Sequence, residues 1–259
     1  MQNILDYFDV AQLVLYAFWI FFAALIYYLR QEDKREGYPL ESDRSQRAPR
    51  VKIQGFPPIP APKMFALPHG GVVYAPSGIA DTRPVAAVPI GPWPGAPLEP
   101  TGNPLVDAVG PASYAERANV PDKTFDGQPR IAPLRVATDY GVATQDPDPR
   151  GMRVVAADGG VAGKVVDVWI DRSETVVRYL ELDVPVASGS RRALLPMTFA
   201  RVDGARRLVR VASLYAKHFA EVPATAEPDV VTLREEDRIM GYFGGGHLYA
   251  HPSRAEPLL

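Results

Sequence analysis

The chain has 259 residues, with 28 lysines and arginines against 30 aspartates and glutamates, and no cysteine. A net charge of −2 argues against a protein built to coat nucleic acid. The lack of cysteine excludes disulfides, thiolate catalysis and cysteine-ligated zinc or iron–sulfur centres.

The first predicted element is an unbroken apolar run over residues 11–29, with Gln12 its only strongly polar member. At about 1.5 Å of rise per residue the run reaches roughly 28 Å, close to the ~30 Å hydrocarbon core of a bilayer. A secretory signal would carry positive charge ahead of the run and a small-residue cleavage site behind it. Here Asp6 and Asp9 precede it and LRQEDKRE follows. A buried core helix would show a polar stripe at 3.6 spacing, and LVLYAFWIFFAALIYYL has none. The run therefore predicts a retained transmembrane helix over residues 11–30, with Tyr7, Phe8, Tyr27 and Tyr28 near its interfaces. Arg30, Lys34 and Arg35 follow the run, so the positive-inside rule expects residues 1–10 outside and the body in the cytoplasm.

Residues 31–150 form a proline-rich stretch, holding 21 of the 27 prolines between Pro39 and Pro149. Each proline removes a donor and fixes φ, so long helices are excluded through FPPIPAPKMFALPHGG and PIGPWPGAPLEPTGNP. A flexible spacer is one reading. The stretch is nevertheless punctuated by Phe56, Met64, Phe65, Val72, Val73, Tyr74 and Trp93, residues that disordered segments lack. The preferred expectation is an extended segment, with short strands such as 71–75, whose aromatics are covered by a partner.

From residue 151 the pattern changes to β-branched runs. MRVVAADGGVAGKVVDVWID is split by Asp158-Gly159-Gly160, a hairpin signal, and TVVRYLELDV, RRALLPM and RRLVRVAS follow. Four to six short strands over 151–225 predict a small, highly curved antiparallel barrel or sandwich. Residues 214–220 read as a short helix. Over 226–259 a helix is expected at 232–242, opened by a Thr232/Glu235 capping box and followed by Gly244-Gly245-Gly246 beyond its end.

No catalytic constellation stands out. His69, His218, His247 and His251 are scattered, with no i, i+4 metal pair, and His218 reads as a surface or interface residue. The Gly244–Gly246 run lacks the strand and acidic partner of a dinucleotide site. Glu235, Glu236 and Asp237 at a helix start are accounted for by the helix dipole. Asp171-Arg172-Ser173-Glu174 places two carboxylates three residues apart in a turn after a strand over 165–170. Such turns are commonly just solvated; the alternative is a titratable pair that relays protons, its pKa values moved by neighbours.

Six stretches, in this order, carry a resemblance: FWIFFAALIYYLRQEDKREGYPLE, FALPHGG, PTGNPLVDAVGPASYAER, VAGKVVDVWIDRSE, RYLELDV and LREEDRIMGYFGGGHLYA. From the membrane helix to the C-terminus the chain resembles the H subunit of the photosynthetic reaction centre of purple bacteria. The resemblance implies a membrane-anchored, mainly β protein: one N-terminal transmembrane helix, then a cytoplasmic domain with a small PRC-type β-barrel and short C-terminal helices. It implies a subunit, and no enzyme, that caps the L and M subunits in the bacterial inner (intracytoplasmic) membrane and supports proton transfer to the secondary quinone. Bacteriochlorophyll, bacteriopheophytin, quinones, non-haem iron and, in some complexes, carotenoid would sit on L and M, with none bound by this chain. Membrane lipid is an implied partner; a tetrahaem cytochrome subunit and a light-harvesting antenna accompany some members.

By resemblance, Asp171 and Glu174 match the family's acidic pair near the proton-uptake route, and Arg178 matches a basic residue beside it. Asp126 matches an acidic residue at the uptake point. The segment Phe125-Asp126-Gly127-Gln128-Pro129-Arg130 lacks the histidines found there in some members. Glu236 matches a family acidic residue, with a structural role expected here. The alternative reading is a membrane-tethered PRC-barrel adaptor or assembly factor.

Overall fold

A computed structural model describes residues 9–38, 55–93 and 95–255. The expectations placed on Asp6, Tyr7 and Phe8, and on the chain from 39 to 54, lie outside the described residues. The chain divides into two compact units, residues 1–80 with 92–96, and residues 81–91 with 97–259.

The first unit contains helix α1 (Val10–Arg35), capped by the Asp9 side chain, which accepts from the Ala11 N–H at 2.9 Å. The helix runs beyond the apolar stretch to Arg35. Its last turns are supported by Arg30–Asp33 at 3.2 Å and by an Arg35–Glu32 pair, and Lys34 and Arg35 suit the negative end of the helix dipole. Its apolar side chains, including Trp19, Ile20, Phe21 and Tyr28, are exposed within the chain, as a bilayer-spanning segment requires. The buried Lys34 ammonium donates to the carbonyls of Gly55 and Pro57, tying the returning chain to the helix end.

Strand β1 (Lys63–Ala66) pairs antiparallel with β2 (Val72–Ala75), close to the short strand expected at 71–75. Phe56, Met64, Phe65, Val72, Val73, Tyr74 and Trp93 are all exposed. The chain alone does not bury them.

The second unit begins with a small hairpin, β3 (Ala87–Pro89) with β4 (Leu98–Pro100). Its main sheet has seven strands: β5 (Ile131–Pro133), β6 (Arg153–Val155), β7 (Val161–Asp171), β8 (Val176–Val186), β9 (Gly189–Pro196), β10 (Ala200–Asp203) and β11 (Leu208–Val211). The hydrogen-bonded order is β10-β11-β6-β7-β8-β9, with β5 also paired to β7. Register shifts in β6–β7 and twice in β7–β8 supply the bulges that bend the sheet. Two features depart from the expectation of an antiparallel barrel confined to residues 151–225. The β11–β6 pair is parallel, because the β10–β11 hairpin folds back onto the free edge of β6. The other is β5, which comes from the proline-rich stretch; Leu105, Val109, Ala112, Ile131, Ala132, Leu134 and Ala137 are buried with it. The later part of that stretch therefore belongs to the core.

The core centres on Trp169, Leu180, Leu182, Leu195, Phe219, Ile239, Tyr242 and Phe243. The helix expected at 214–220 is a 3-10 turn at Ala216–Glu221, and His218 is part of its cap: His218 Nδ1 accepts from the Tyr215 N–H at 3.2 Å. Helix α2 (Leu233–Tyr249) opens with the expected box, Thr232 accepting from the Glu235 N–H and Glu235 from the Thr232 N–H. It does not stop at the glycines. They lie inside it, and at two of them neighbouring residues come too close for a side chain: a Cβ on Gly245 would stand 2.5 Å from Ala112 Cβ, and one on Gly246 would stand 2.6 Å from Ser213 O. Gly245 and Gly246 serve close packing, and the helix continues through all three.

Candidate functional site: a guanidinium among carboxylates

The register of β5 on β7 sets Ile131 opposite Asp171 and so brings Arg130, just before β5, against the end of β7. Arg130 Nε lies 3.1 Å from Asp171 Oδ1 and 2.9 Å from Oδ2. Its Nη2 donates to Glu174 Oε1 at 2.6 Å, and its Nη1 to Asp122 Oδ2 at 3.3 Å. One guanidinium thus serves three carboxylates. Arg178, on β8, adds a second cation, its Nε 3.7 Å from Asp171 Oδ2.

The turn after β7 is built around the same aspartate. Asp171 Oδ1 accepts from the N–H groups of Ser173 (2.9 Å) and Glu174 (3.0 Å), an Asx-type turn that holds the two acids together. The Asp171 side chain is 0% exposed and that of Glu174 is 55% exposed, so the pair runs from the interior to solvent. Asp171 Oδ2 is buried and has no hydrogen-bond donor in good geometry, only its two cation contacts.

Burial pushes the Asp171 carboxyl up. The hydrogen bond from Arg130 and those from the Glu174 and Ser173 N–H groups outweigh it and hold the group below the ordinary aspartate value of 3.8. The bond to Asp171 likewise raises the Arg130 guanidinium, which stays charged. Asp171 is therefore a fixed negative charge near neutrality.

The expected site residues are distributed as follows. Asp171, Glu174 and Arg178 come together. Asp126 sits in the turn closed by the Lys123–Pro129 bridge and lines an open cleft of about 530 Å³ with Asp139, Tyr140, Arg172 and Ser173. It makes no ion pair or side-chain hydrogen bond among the described residues. Arg130 and Asp122 were not legible as partners of the pair, since only the β5–β7 register makes them neighbours. Among the described residues no three His, Asp or Glu side chains converge as metal ligands.

Of the acids opening α2, Glu235 is held by hydrogen bonds, its carboxylate accepting from the Ala226 and Thr232 N–H groups at 2.7 and 2.8 Å. Glu236 is different: Tyr179 Oη donates to its Oε2 at 2.9 Å, linking α2 to β8. Burial raises the Glu236 carboxyl above its ordinary 4.5, with Tyr179 and Arg178 opposing only in part. A carboxyl raised in the folded state favours folding fully below its unfolded pKa and loses that advantage as pH rises through the folded value. Glu236→Gln is expected to melt at or above the parent temperature at pH 7 and to lose any advantage below about pH 4.5; thermal melts at both pH values check this.

Two family sequence models match the chain. One, described as photosynthetic reaction centre, H-chain N-terminal region, covers residues 2–136, more than half of the protein; the other, PRC-barrel domain, covers 144–216. The chain belongs to the reaction centre H-chain family. An H chain associates with the reaction centre L and M subunits, which sets this reading above the membrane-tethered PRC-barrel adaptor or assembly factor. The PRC match contains β6 to β11, while β5 and Arg130 fall in the N-terminal-region match. In this H chain the carboxylate cluster is therefore assembled across the seam of two family regions, with Arg130 from one and Asp171, Glu174 and Arg178 from the other.

Proposed function

We propose that this H chain caps the cytoplasmic face of L and M, stabilises the complex and carries protons toward the secondary quinone through the Arg130 cluster. The body lies in the cytoplasm on this reading, with the N-terminus on the periplasmic side. Bacteriochlorophyll, bacteriopheophytin, quinones and iron are held by L and M, and this chain contributes no ligand to them. Reducing a quinone to a quinol takes two electrons and two protons at a site where bare charge is costly, so protons must be carried in by carboxylates and water.

The observation that supports this reading is the buried, ionised Asp171, whose Oδ2 touches two guanidinium groups but accepts no well-aligned hydrogen bond. That oxygen can accept a bond from water or hydronium arriving past the half-exposed Glu174. Arg130 holds Asp171 ionised, so its charge favours a hydronium or a water carrying a proton at this point of the path. The two acids share one guanidinium, that of Arg130. Asp126, Asp139 and the cleft they line offer a route from solvent to Ser173, beside the pair.

In the assembled complex, Asp171→Asn with Glu174→Gln is expected to slow the second, proton-coupled electron transfer at least about tenfold, or ~1.4 kcal/mol on the barrier. The first flash-induced electron transfer should be unaffected. Unchanged second-transfer kinetics in a complex of normal stability would rule out the relay.

A further inference from the structure

We infer that the outer face of β10, β11, β6 and the start of β7 is a docking surface for anionic phospholipid headgroups. Residues paired across a sheet project to the same side, and the pairings here align cations. Arg201 is opposite Arg210, and Arg153 is opposite Lys164, all four exposed. The parallel pairing of β11 with β6 sets Leu208 beside Arg153 and so joins the two cationic pairs on one face. Arg206 and Arg207, in the β10–β11 turn, extend the patch. The acids on this face do not balance it: Asp203 stands 3.8 Å from both Arg206 and Arg210, and Asp183, opposite Lys164, is 3.8 Å from Arg192.

Like charges directly opposite on a sheet are destabilising, and solubility alone would be served better by alternating signs. The cations gather on this face although the whole chain is slightly acidic. Five of the six cations are arginine, whose planar fork binds phosphate in two-point geometry. The four strands present Val155, Val161 and Leu208 as outward apolar residues and no aromatic one, so the face lacks the aromatic anchors on which protein interfaces concentrate their energy. Guanidiniums spread over paired strands suit a layer of phosphates instead. Helix α1 anchors the same chain in a bilayer, which keeps the local concentration of headgroups high without any further partner. The inference rests on that anchor and is independent of the proton-relay reading.

The test uses the complete complex in nanodiscs of phosphatidylcholine alone or with about three parts in ten phosphatidylglycerol. Phenylglyoxal modification of individual arginines is read by mass spectrometry. At low salt, labelling of Arg201, Arg206, Arg207 and Arg210 is expected to fall about threefold in the anionic discs and to recover near 0.5 M salt, where screening is short-ranged, to about the level in neutral discs. Equal, high labelling in both discs would overturn the proposal. So would equal protection in both, which would mark a protein interface. The double substitution Arg206→Glu and Arg207→Glu lies in an exposed turn and leaves the strands intact. It should abolish the lipid-dependent protection of Arg201 and Arg210, and protection that persists would also overturn the proposal.

Discussion

Replacing Arg130 with glutamine is expected to destabilise the protein by about 3 kcal/mol at neutral pH, the lower end of the range for breaking a buried ion pair. Asp171 would be left fully buried with only Arg178, at 3.7 Å, as a cation, and β5 would lose its clamp to the end of β7. The pH dependence identifies the cause. In the parent the depressed Asp171 carboxyl contributes stability that is present above its unfolded pKa of about 3.8 and lost as pH falls through the lower folded value. Without Arg130, burial dominates and the carboxyl rises, so parent and variant should converge in acid and differ most near pH 7. Denaturant titrations at pH 7 and pH 3.5 check this. A deficit independent of pH would mean that Arg130 acts through packing alone. Arg130→Lys should recover part of the loss at most, because a point charge cannot serve Asp171, Glu174 and Asp122 together.

Gly246→Ala is expected to cost about 2 kcal/mol, whereas Gly244→Ala, two residues away in the same helix, should be neutral or stabilising by up to about 1 kcal/mol. Both changes gain helix propensity equally. The difference is space: a Cβ at 246 would lie 2.5 Å from Leu214 Cδ2 and 2.6 Å from Ser213 O, while one at 244 meets nothing nearer than Pro111 O at 3.4 Å. Leu214 and Ser213 are buried and cannot yield, and Arg254 Nη1 bridges the same carbonyls of Ser213 and Gly246 at 2.6 and 2.7 Å. Thermal melts of the two variants should move in opposite directions or differ by several degrees. A matching shift would show that α2 does not pack as closely as described.

Much of this protein is local, and local features are legible. The α1 run, the Asp158-Gly159-Gly160 hairpin, the Thr232–Glu235 capping box and the turn joining Asp171 to Glu174 each depend on residues a few positions apart. The exposure of Phe65, Val73 and Tyr74 also follows from the sequence, since a proline-rich hairpin cannot fold over its own aromatics. Features that depend on distant pairing were not legible. The glycine run looked like a helix end because its contacts come from Ala112 and Ser213, far away in the chain. Glu236 looked like one more dipole-stabilising acid because Tyr179 lies on another strand.

The sequence alone determined that the chain has one membrane-spanning segment, a β-rich body and a pair of acids in a turn, because hydrophobic length and alternation are properties of consecutive residues. Only the tertiary structure decided that Arg130 is the centre of the cluster. Its distance from Asp171 is 41 positions along the chain and one hydrogen bond in space. That distance is closed by the pairing of a three-residue strand whose apolar pattern is too short to announce a partner.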